Sequence, residues 1–174
     1  MNTDDYTRVT TILYQFSGLD RIDEEIVRSA GIRGTKVHKI CELIIQGFGE
    51  IDVDEETFGY IESFKKWWSL GHEIESVEQR FWDDELQITG QLDLIIKTSC
   101  GLSVVDFKTS YKHSKTWEIQ GCAYAYLAKK CGYDIRNIQF IHLNKTGKQP
   151  KIFQYTVNDN LFFSVYTTWK HFYK

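Results

Sequence analysis

The run Gly90-Gln91-Leu92-Asp93-Leu94-Ile95-Ile96, separated by Thr98-Ser99-Cys100-Gly101 from Val104-Val105-Asp106-Phe107-Lys108, constrains the fold more than any other stretch of the chain. Strand-forming residues on both sides of a polar segment ending in Gly predict a β-hairpin. Because strand side chains point to opposite faces in turn, Asp106 and Lys108 share a face with Leu102 and Val104, and Val105 and Phe107 take the other. In the first strand Leu92, Leu94 and Ile96 take one face, which leaves Asp93 with Gln91 and Ile95 on the opposite one. Charges on a strand ordinarily meet water at an outer face or an edge. The case for function therefore depends on polar residues elsewhere in the chain.

The length of 174 residues suits a single domain, 1–174, with a sizeable core. A hydrophobic fraction of 42% and an aromatic fraction of 15% argue for packing rather than disorder. No apolar run approaches the roughly 20 residues of a membrane span, and Met1-Asn2-Thr3-Asp4-Asp5 is unlike a signal peptide, so a soluble, intracellular protein with no membrane partner is expected. Cys41, Cys100, Cys122 and Cys131 contain no C-x-x-C pair, which points to reduced thiols rather than a zinc ribbon or disulfide framework. The net charge of −3 argues against binding nucleic acid through bulk electrostatics. Local basic groups remain at Arg33, Lys36 and Lys39, at Lys112 and Lys115, and at Lys145, Lys148 and Lys151. Each alone reads as a solvated face.

Along the chain, Tyr6 to Ala30 holds a short helical candidate, Asp23 to Ser29, and is expected to brace the domain. A helix capped by Thr35 and stopped near Gly47 follows, with Val37, Ile40, Cys41 and Ile44 facing the core and His38 at the border of that stripe. A second helix is predicted from Asp54 to Leu70, closed by Gly71, with Phe58, Ile61, Phe64 and Trp68 buried. Alternation then predicts a three-stranded antiparallel meander over Ile74–Trp82, Leu86–Lys97 and Leu102–Thr109. A helix from Thr116 or Trp117 to Lys130 carries Gln120 and Tyr124 on one side. A strand at Ile138–Leu143, a hairpin to Ile152–Val157 and a helix capped by Asn158 complete the chain.

His38, Glu78, Asp93, Asp106, Lys108, Gln120 and Tyr124 together have the chemistry that phosphodiester hydrolysis needs. Divalent ions generate hydroxide and neutralise charge on phosphorus and on the leaving group. Asp93 and Asp106 on neighbouring strands, with the Phe107 carbonyl, offer an oxygen set for Mg2+, and the His38 nitrogen favours Mn2+ as well. Lys108 would orient water or stabilise the charged transition state. Glu78 would bind a second ion or hold a metal-bound water, and Gln120 and Tyr124 supply an amide and a phenol that can fix a phosphate.

These residues also carry a family resemblance. Gly31-Ile32-Arg33-Gly34-Thr35-Lys36-Val37-His38, Ser76-Val77-Glu78, Ile88-Thr89-Gly90-Gln91-Leu92-Asp93 (G-x-x-D), Val105-Asp106-Phe107-Lys108-Thr109-Ser110 (D-x-K-T) and Gln120-Gly121-Cys122-Ala123-Tyr124 (Q-x-x-x-Y) resemble the motifs of the RecB-type, phage-like exonuclease branch of the PD-(D/E)XK nuclease superfamily. They do so in order and spacing. The resemblance implies an α/β fold, α+β by strand order, with a restriction-endonuclease-like mixed central sheet flanked by helices. It further implies metal-dependent cleavage of DNA, commonly exonucleolytic. The expected activity is that of a Mg2+- or Mn2+-dependent deoxyribonuclease, an exonuclease at single-stranded DNA ends that passes its strand by Lys36, Lys112 and Lys115, with Arg33 a further candidate nucleic-acid-binding residue. Iron-sulfur members hold their cluster by one early and three late cysteines. This chain lacks the late set, so no cluster is expected. It has no helicase part, so it is expected to work alone or with a separate helicase or recombination partner. The alternatives are a structure-specific or flap endonuclease, a non-catalytic DNA-binding recombination accessory protein, and an α/β domain whose charges have no role in nucleic-acid chemistry.

Overall fold

A computed structural model of the chain describes residues 6–49 and 51–174; Met1–Asp5, the start compared above with a signal peptide, lies outside them. The elements in order are β1 (Thr7–Arg8), α1 (Val9–Ser17), a short 3-10 turn at Leu19–Arg21, α2 (Glu24–Ile45), α3 (Glu55–Trp68), β2 (Glu73–Asp83), β3 (Ile88–Thr98), β4 (Gly101–Lys108), α4 (Thr116–Lys130), β5 (Ile135–His142), β6 (Lys151–Thr156) and α5 (Asp159–Tyr173). The six strands form one mixed sheet organised on β3. The predicted meander is present, with β2 antiparallel along β3 from Glu73↔Lys97 to Asp83↔Ile88. The opposite edge of β3 is shared. Near its end β4 pairs with it from Thr98↔Gly101 to Leu94↔Val105, and at its start β1 pairs in parallel at Thr7↔Ile88 and Arg8↔Thr89.

Residues 90–93 of β3 therefore have no strand on that edge. From Asp106 onward β4 pairs only with β5, in parallel through Asp106↔Phe140, Phe107↔Ile141 and Lys108↔His142, and α4 is the crossover that a parallel connection requires. The strands β3 and β4 thus part company at Asp93 and Asp106. β6 extends the sheet antiparallel to β5.

Helices cover both faces. Val9, Ile12, Leu92, Ile95, Val104, Leu127 and Phe162 form one core between the sheet and α1, α4 and α5. Val37, Cys41, Ile61, Phe64, Trp67, Leu94, Ile96, Val105 and Phe107 form the other, beneath α2 and α3. This is the helix-flanked mixed sheet of the restriction-endonuclease-like class. Among the described residues no helix is long and apolar enough to cross a membrane.

Three local expectations need correction. The helical candidate at Asp23–Ser29 and the helix expected to start at Thr35 are one helix, α2, capped by the Asp23 carboxylate, which accepts from the Glu25 and Ile26 amides. Gly31 and Gly34 read as a break, yet Thr35 lies mid-helix and returns its hydroxyl to the Gly31 carbonyl at 3.1 Å. Tertiary packing overrides their low helix propensity, and a side chain at Gly34 would come 3.4 Å from Thr109 Oγ1. In α3 the buried stripe is Tyr60, Ile61, Phe64 and Trp67, while Phe58 is exposed and Trp68 half-buried. The ring of Trp67 is chosen over Trp68 because it meets Phe107 edge-on at 5.5 Å.

The third correction concerns Leu92, which lies in the opposite core from Leu94 and Ile96. Its cause is on the neighbouring strand. Glu78 has φ 49, a left-handed conformation rare in a residue with a side chain, and it sits between the pairs Val77↔Leu94 and Gln79↔Leu92. The simple alternation of faces is interrupted there, at the level of Asp93. Such a conformation costs about 1 kcal/mol or more and persists only where the surroundings enforce it.

Candidate active site

The parting of β3 and β4 removes the ladder partners that backbone groups near Asp93 and Phe107 would otherwise have. Asp93 fills the opening with its side chain: Oδ2 accepts the Phe107 amide at 2.6 Å and Oδ1 lies 3.0 Å from His38 Nδ1. In a strand the N–H and C=O of one residue point the same way, so the Phe107 carbonyl also faces this opening. The Lys108 carbonyl turns to the other side and accepts from Leu143 N at 2.8 Å. β4 places Asp106 and Lys108 two residues apart on one face, and Lys108 Nζ stands 2.7 Å from Asp106 Oδ2.

Helix α4 supplies the third wall. Gln120 accepts from Lys108 Nζ through Oε1 at 2.9 Å, and its amide nitrogen donates to Asp106 Oδ1 at 3.2 Å and to the Tyr124 hydroxyl at 2.9 Å. Its four-residue spacing from Tyr124 makes this possible. Gly90 lets the helix come close, since a side chain there would lie 2.7 Å from Tyr124 Cε1. From β2, Glu78 joins His38 and Asp93 in a group whose ligand atoms all lie within 4.8 Å of one another. His38, Glu78, Asp93, Asp106, Lys108, Gln120 and Tyr124 are thus gathered from α2, β2, β3, β4 and α4.

The electrostatics are those of acids crowded in a dry place. Burial pushes the Glu78 carboxyl up, the Asp93 charge pushes it further, and it reaches about 7. Burial likewise raises Asp106 above the usual carboxylate range; Lys108 opposes this, and Asp93 adds to it. Burial disfavours charge on His38, but the neighbouring Asp93, with help from Asp106, outweighs it and raises the imidazole to about 9. The phenol of Tyr124 is pushed up by burial and then by Asp106, so it is a neutral hydroxyl.

The donor set suits a divalent cation. It contains one imidazole and several carboxylate oxygens, and their mutual repulsion is what a bound cation relieves. Asp106 Oδ2, although close to Lys108, is a buried oxygen with no well-directed hydrogen bond.

Gln91 and Arg80 were not singled out by sequence. Gln91 Nε2 donates to Glu78 Oε2 at 2.7 Å, and Arg80 donates to Gln91 Oε1 at 2.9 Å. The available signal was that Gln91 stands two residues before Asp93 on its strand. The candidate DNA-contacting residues divide. Arg33 lies 3.7 Å from Glu56, faces the Tyr60 ring at 5.7 Å and lines an open cleft with Tyr111, Lys145 and Lys148. Lys112 lies 6.0 Å from the Tyr111 ring centre. Lys36 is instead paired with Asp54 at 3.2 Å, toward the start of α3, and Lys115 is exposed beside the start of α4. The cleft joins the Lys145–Lys148 turn to Arg33, which linear distance had hidden.

Comparison with known proteins bears on this arrangement. The family model of the PD-(D/E)XK nuclease superfamily matches residues 55–160, more than half of the chain. The chain belongs to the PD-(D/E)XK nuclease superfamily. Nucleases of this superfamily use divalent metal ions, in keeping with the donor set here. The matched span holds every gathered residue except His38. Among solved structures, SSO0001 is similar over 100% of this chain and 79% of its own, with 12% identity and a TM-score of 0.53, a likeness of fold. A phage related exonuclease from Haemophilus somnus 129PT aligns over 79% of this chain and 77% of its own at 11% identity and a TM-score of 0.39. No curated protein matches by sequence.

Proposed function

We propose that this nuclease is a divalent-metal-dependent DNA exonuclease of the RecB-type, phage-like branch, acting at single-stranded DNA ends. The observation that carries the reading is the convergence of His38, Glu78 and Asp93 within 4.8 Å beside a buried Asp106–Lys108 pair. His38, Glu78, Asp93, Asp106 and the Phe107 carbonyl would hold the Mg2+ or Mn2+. The bound ion supplies Lewis acidity and a nucleophile at neutral pH.

The chain's own groups do the rest. Lys108, held between Asp106 and Gln120, presents a positive charge where negative charge develops on the transferred phosphorus, and a fixed charge in a water-poor site is worth more than one in solution. Gln120 keeps Lys108 and Asp106 in register, and Tyr124 keeps Gln120. Asp93 locks the opening by holding the Phe107 amide, so the Phe107 carbonyl is aimed rather than mobile. Arg33 and Tyr111 line the cleft past which the DNA strand would run, and Lys112 stands over the Tyr111 ring.

The test is digestion of linear single- and double-stranded DNA carrying a 5′ or a 3′ label, with Mg2+, Mn2+ or chelator, alongside a circular single strand. Metal-dependent release from one end with the circle intact is expected. Cleavage that survives the chelator, or full activity in Asp106→Ala, overturns the reading. A cut circle replaces it with a structure-specific endonuclease.

A further inference from the structure

The open cleft lined by Arg33, Tyr60, Tyr111, His142, Lys145 and Lys148 measures about 510 Å3, within the roughly 300–1,000 Å3 of sites that enclose a small molecule. Two of its walls continue elements that build the candidate active site. On α2, Arg33 stands five residues before His38, roughly 7.5 Å along the helix axis. On the other side, the chain leaving β4 runs from Lys108 to Tyr111 in three residues, and β5 pairs His142 with Lys108. A nucleic-acid strand with a phosphate at Lys108 continues directly into this cleft.

The third wall is the turn between β5 and β6, and α3 holds it in one shape. A side chain at Gly59 would lie 1.8 Å from the Lys145 carbonyl oxygen, so the glycine is what lets the turn lie on the helix. The Asn144 amide donates to Ser63 Oγ at 2.9 Å, Asn144 Oδ1 accepts from the Thr146 amide and hydroxyl at 2.9 and 2.8 Å, and Lys66 Nζ donates to the Gly147 carbonyl at 2.7 Å. Lys145 and Lys148 are thus carried on a fixed turn. Among the described residues neither lysine forms an ion pair, and no carboxylate lines the cleft. Arg33 reaches Glu56 only at 3.7 Å, and its Nε is a buried nitrogen with no hydrogen-bond partner among the described residues. In a chain of net charge −3, three cations around a cleft without carboxylates are a local concentration of positive charge that an anion relieves.

Tyr111 supplies what a bare anion would not need. It is 84% exposed, more than any other large apolar side chain among the described residues. The loop that carries it is pinned: His142 Nε2 lies 2.5 Å from the Ser110 carbonyl oxygen, and Ser110 Oγ donates to the Lys112 carbonyl at 2.9 Å. A ring held out in water beside a cluster of cations is the arrangement on which a nucleobase stacks while its phosphate is paired.

We propose that the cleft seats one unpaired nucleotide of the DNA strand, its base stacked on Tyr111 and its phosphate among Arg33, Lys145 and Lys148. This rests on the reading of the chain as a DNA exonuclease and deepens it, because it names the groups that select a single strand. Inside a duplex both faces of a base are covered by its neighbours in the stack, so only a nucleotide freed from pairing presents a face to Tyr111. The stacking is indifferent to sequence, since every base has a π face.

The experiment measures equilibrium binding, in chelator so that no cleavage occurs, of three labelled DNAs of equal length: a single strand, the same strand with its bases removed, and a blunt duplex. The wild type is expected to bind the single strand about ten-fold more tightly than either of the others. Tyr111→Ala is expected to remove that preference and Tyr111→Trp to keep it. Lys145→Ala combined with Lys148→Ala is expected to weaken the normal and the base-free strand alike, and to reduce the slope of log affinity against log salt by about 1.4. A thermal melt confirms that each variant is folded. Equal binding of the single strand and either of the other DNAs by the wild type overturns the proposal, as does a preference that survives in Tyr111→Ala or a salt slope unchanged in the lysine variant. Repeating the series with Mg2+ separates the two readings. A base-dependent preference without any hydrolysis sinks the exonuclease and keeps the subsite, and hydrolysis of DNA ends without that preference does the reverse.

Discussion

Asp83 and Asp106 are buried almost equally, at 1% and 3% exposed, yet their acidities move in opposite directions. Burial disfavours the charge on Asp83, but the Tyr126 hydroxyl and the Leu86 and Glu85 amides outweigh it and hold its carboxyl below the usual range. Its Oδ1 accepts those amides at 3.0 and 2.8 Å, its Oδ2 accepts from Tyr126, and Lys130 stands at 3.5 Å. Asp106 has two donors' worth of company in Lys108 and Gln120, but it also has Asp93 nearby and an oxygen without a well-directed bond. Burial alone therefore does not set the acidity of a carboxylate; the completeness of its hydrogen bonding and the charges around it do. Asp83 closes the β2–β3 turn, whereas Asp106 stands where the sheet has been opened.

The largest expected effect separates the two regions directly. Asp106→Asn should lower cleavage by at least about a thousand-fold, since a lost cation ligand and a misplaced lysine together add several kcal/mol to the barrier. The same change should leave stability equal or about 1 kcal/mol higher, because it removes a buried charge that repels Asp93. Kinetics and a melting curve on one preparation check both halves. A variant that stays active, or one that loses more than about 2 kcal/mol, would put Asp106 in the same class as Asp83.

The next effect uses the cation as probe. Mg2+ or Mn2+ at about 100 times its dissociation constant should stabilise the wild type by about 2.7 kcal/mol. Asp93→Asn should abolish that gain, and Asp83→Asn should retain it. Differential scanning fluorimetry with and without the ion reads all three proteins.

Asp83→Asn should in turn destabilise by about 1.5–3 kcal/mol, the range for hydrogen bonds to a charged group, while the rate per folded molecule stays unchanged. The sign of its pH dependence follows from a folded-state acidity lower than the unfolded value. The Asp83 contribution is fully present above the unfolded value of 3.8 and is lost as pH falls through the lower, folded one. Urea titrations between pH 3 and pH 6 should show this slope in the wild type and a shallower one in Asp83→Asn.

The contrast also explains what could be read from the sequence. Asp106 and Lys108 could be placed side by side because strand alternation is a local rule and their spacing obeys it, and Gln120 and Tyr124 because a helix spaces contacts by four; Asp93 stands where that alternation is interrupted. The strand order and the core of α3 were less accessible. Gly31 and Gly34 read as an interruption because low helix propensity is local, whereas the packing that keeps α2 whole is not. Leu92 was assigned to the wrong face because the interruption belongs to Glu78 on another strand. Asp83 carried no signal in the sequence, since its hydroxyl partner Tyr126 is 43 residues away. What sequence conceals here is contact between elements whose own patterns are silent about each other.

The smallest expected effects come from one helix that serves both regions. Tyr124 and Tyr126 are two residues apart on α4 and point to different sides of it, the first to Gln120 and the second to Asp83. Removing each hydroxyl should therefore have opposite consequences. Tyr126→Phe leaves Asp83 without one of its donors and should cost about 1 kcal/mol of stability with no change in cleavage rate. Tyr124→Phe leaves Gln120 bonded to Asp106 and Lys108 and should be nearly neutral for stability. It frees the amide that fixes Lys108, so cleavage should fall about ten-fold, the equivalent of 1.4 kcal/mol in the barrier. Melting temperature and single-turnover rate for the two variants form a two-by-two comparison. The distinction between the regions stands if the two measurements divide between the two tyrosines, and it breaks if either variant moves both together.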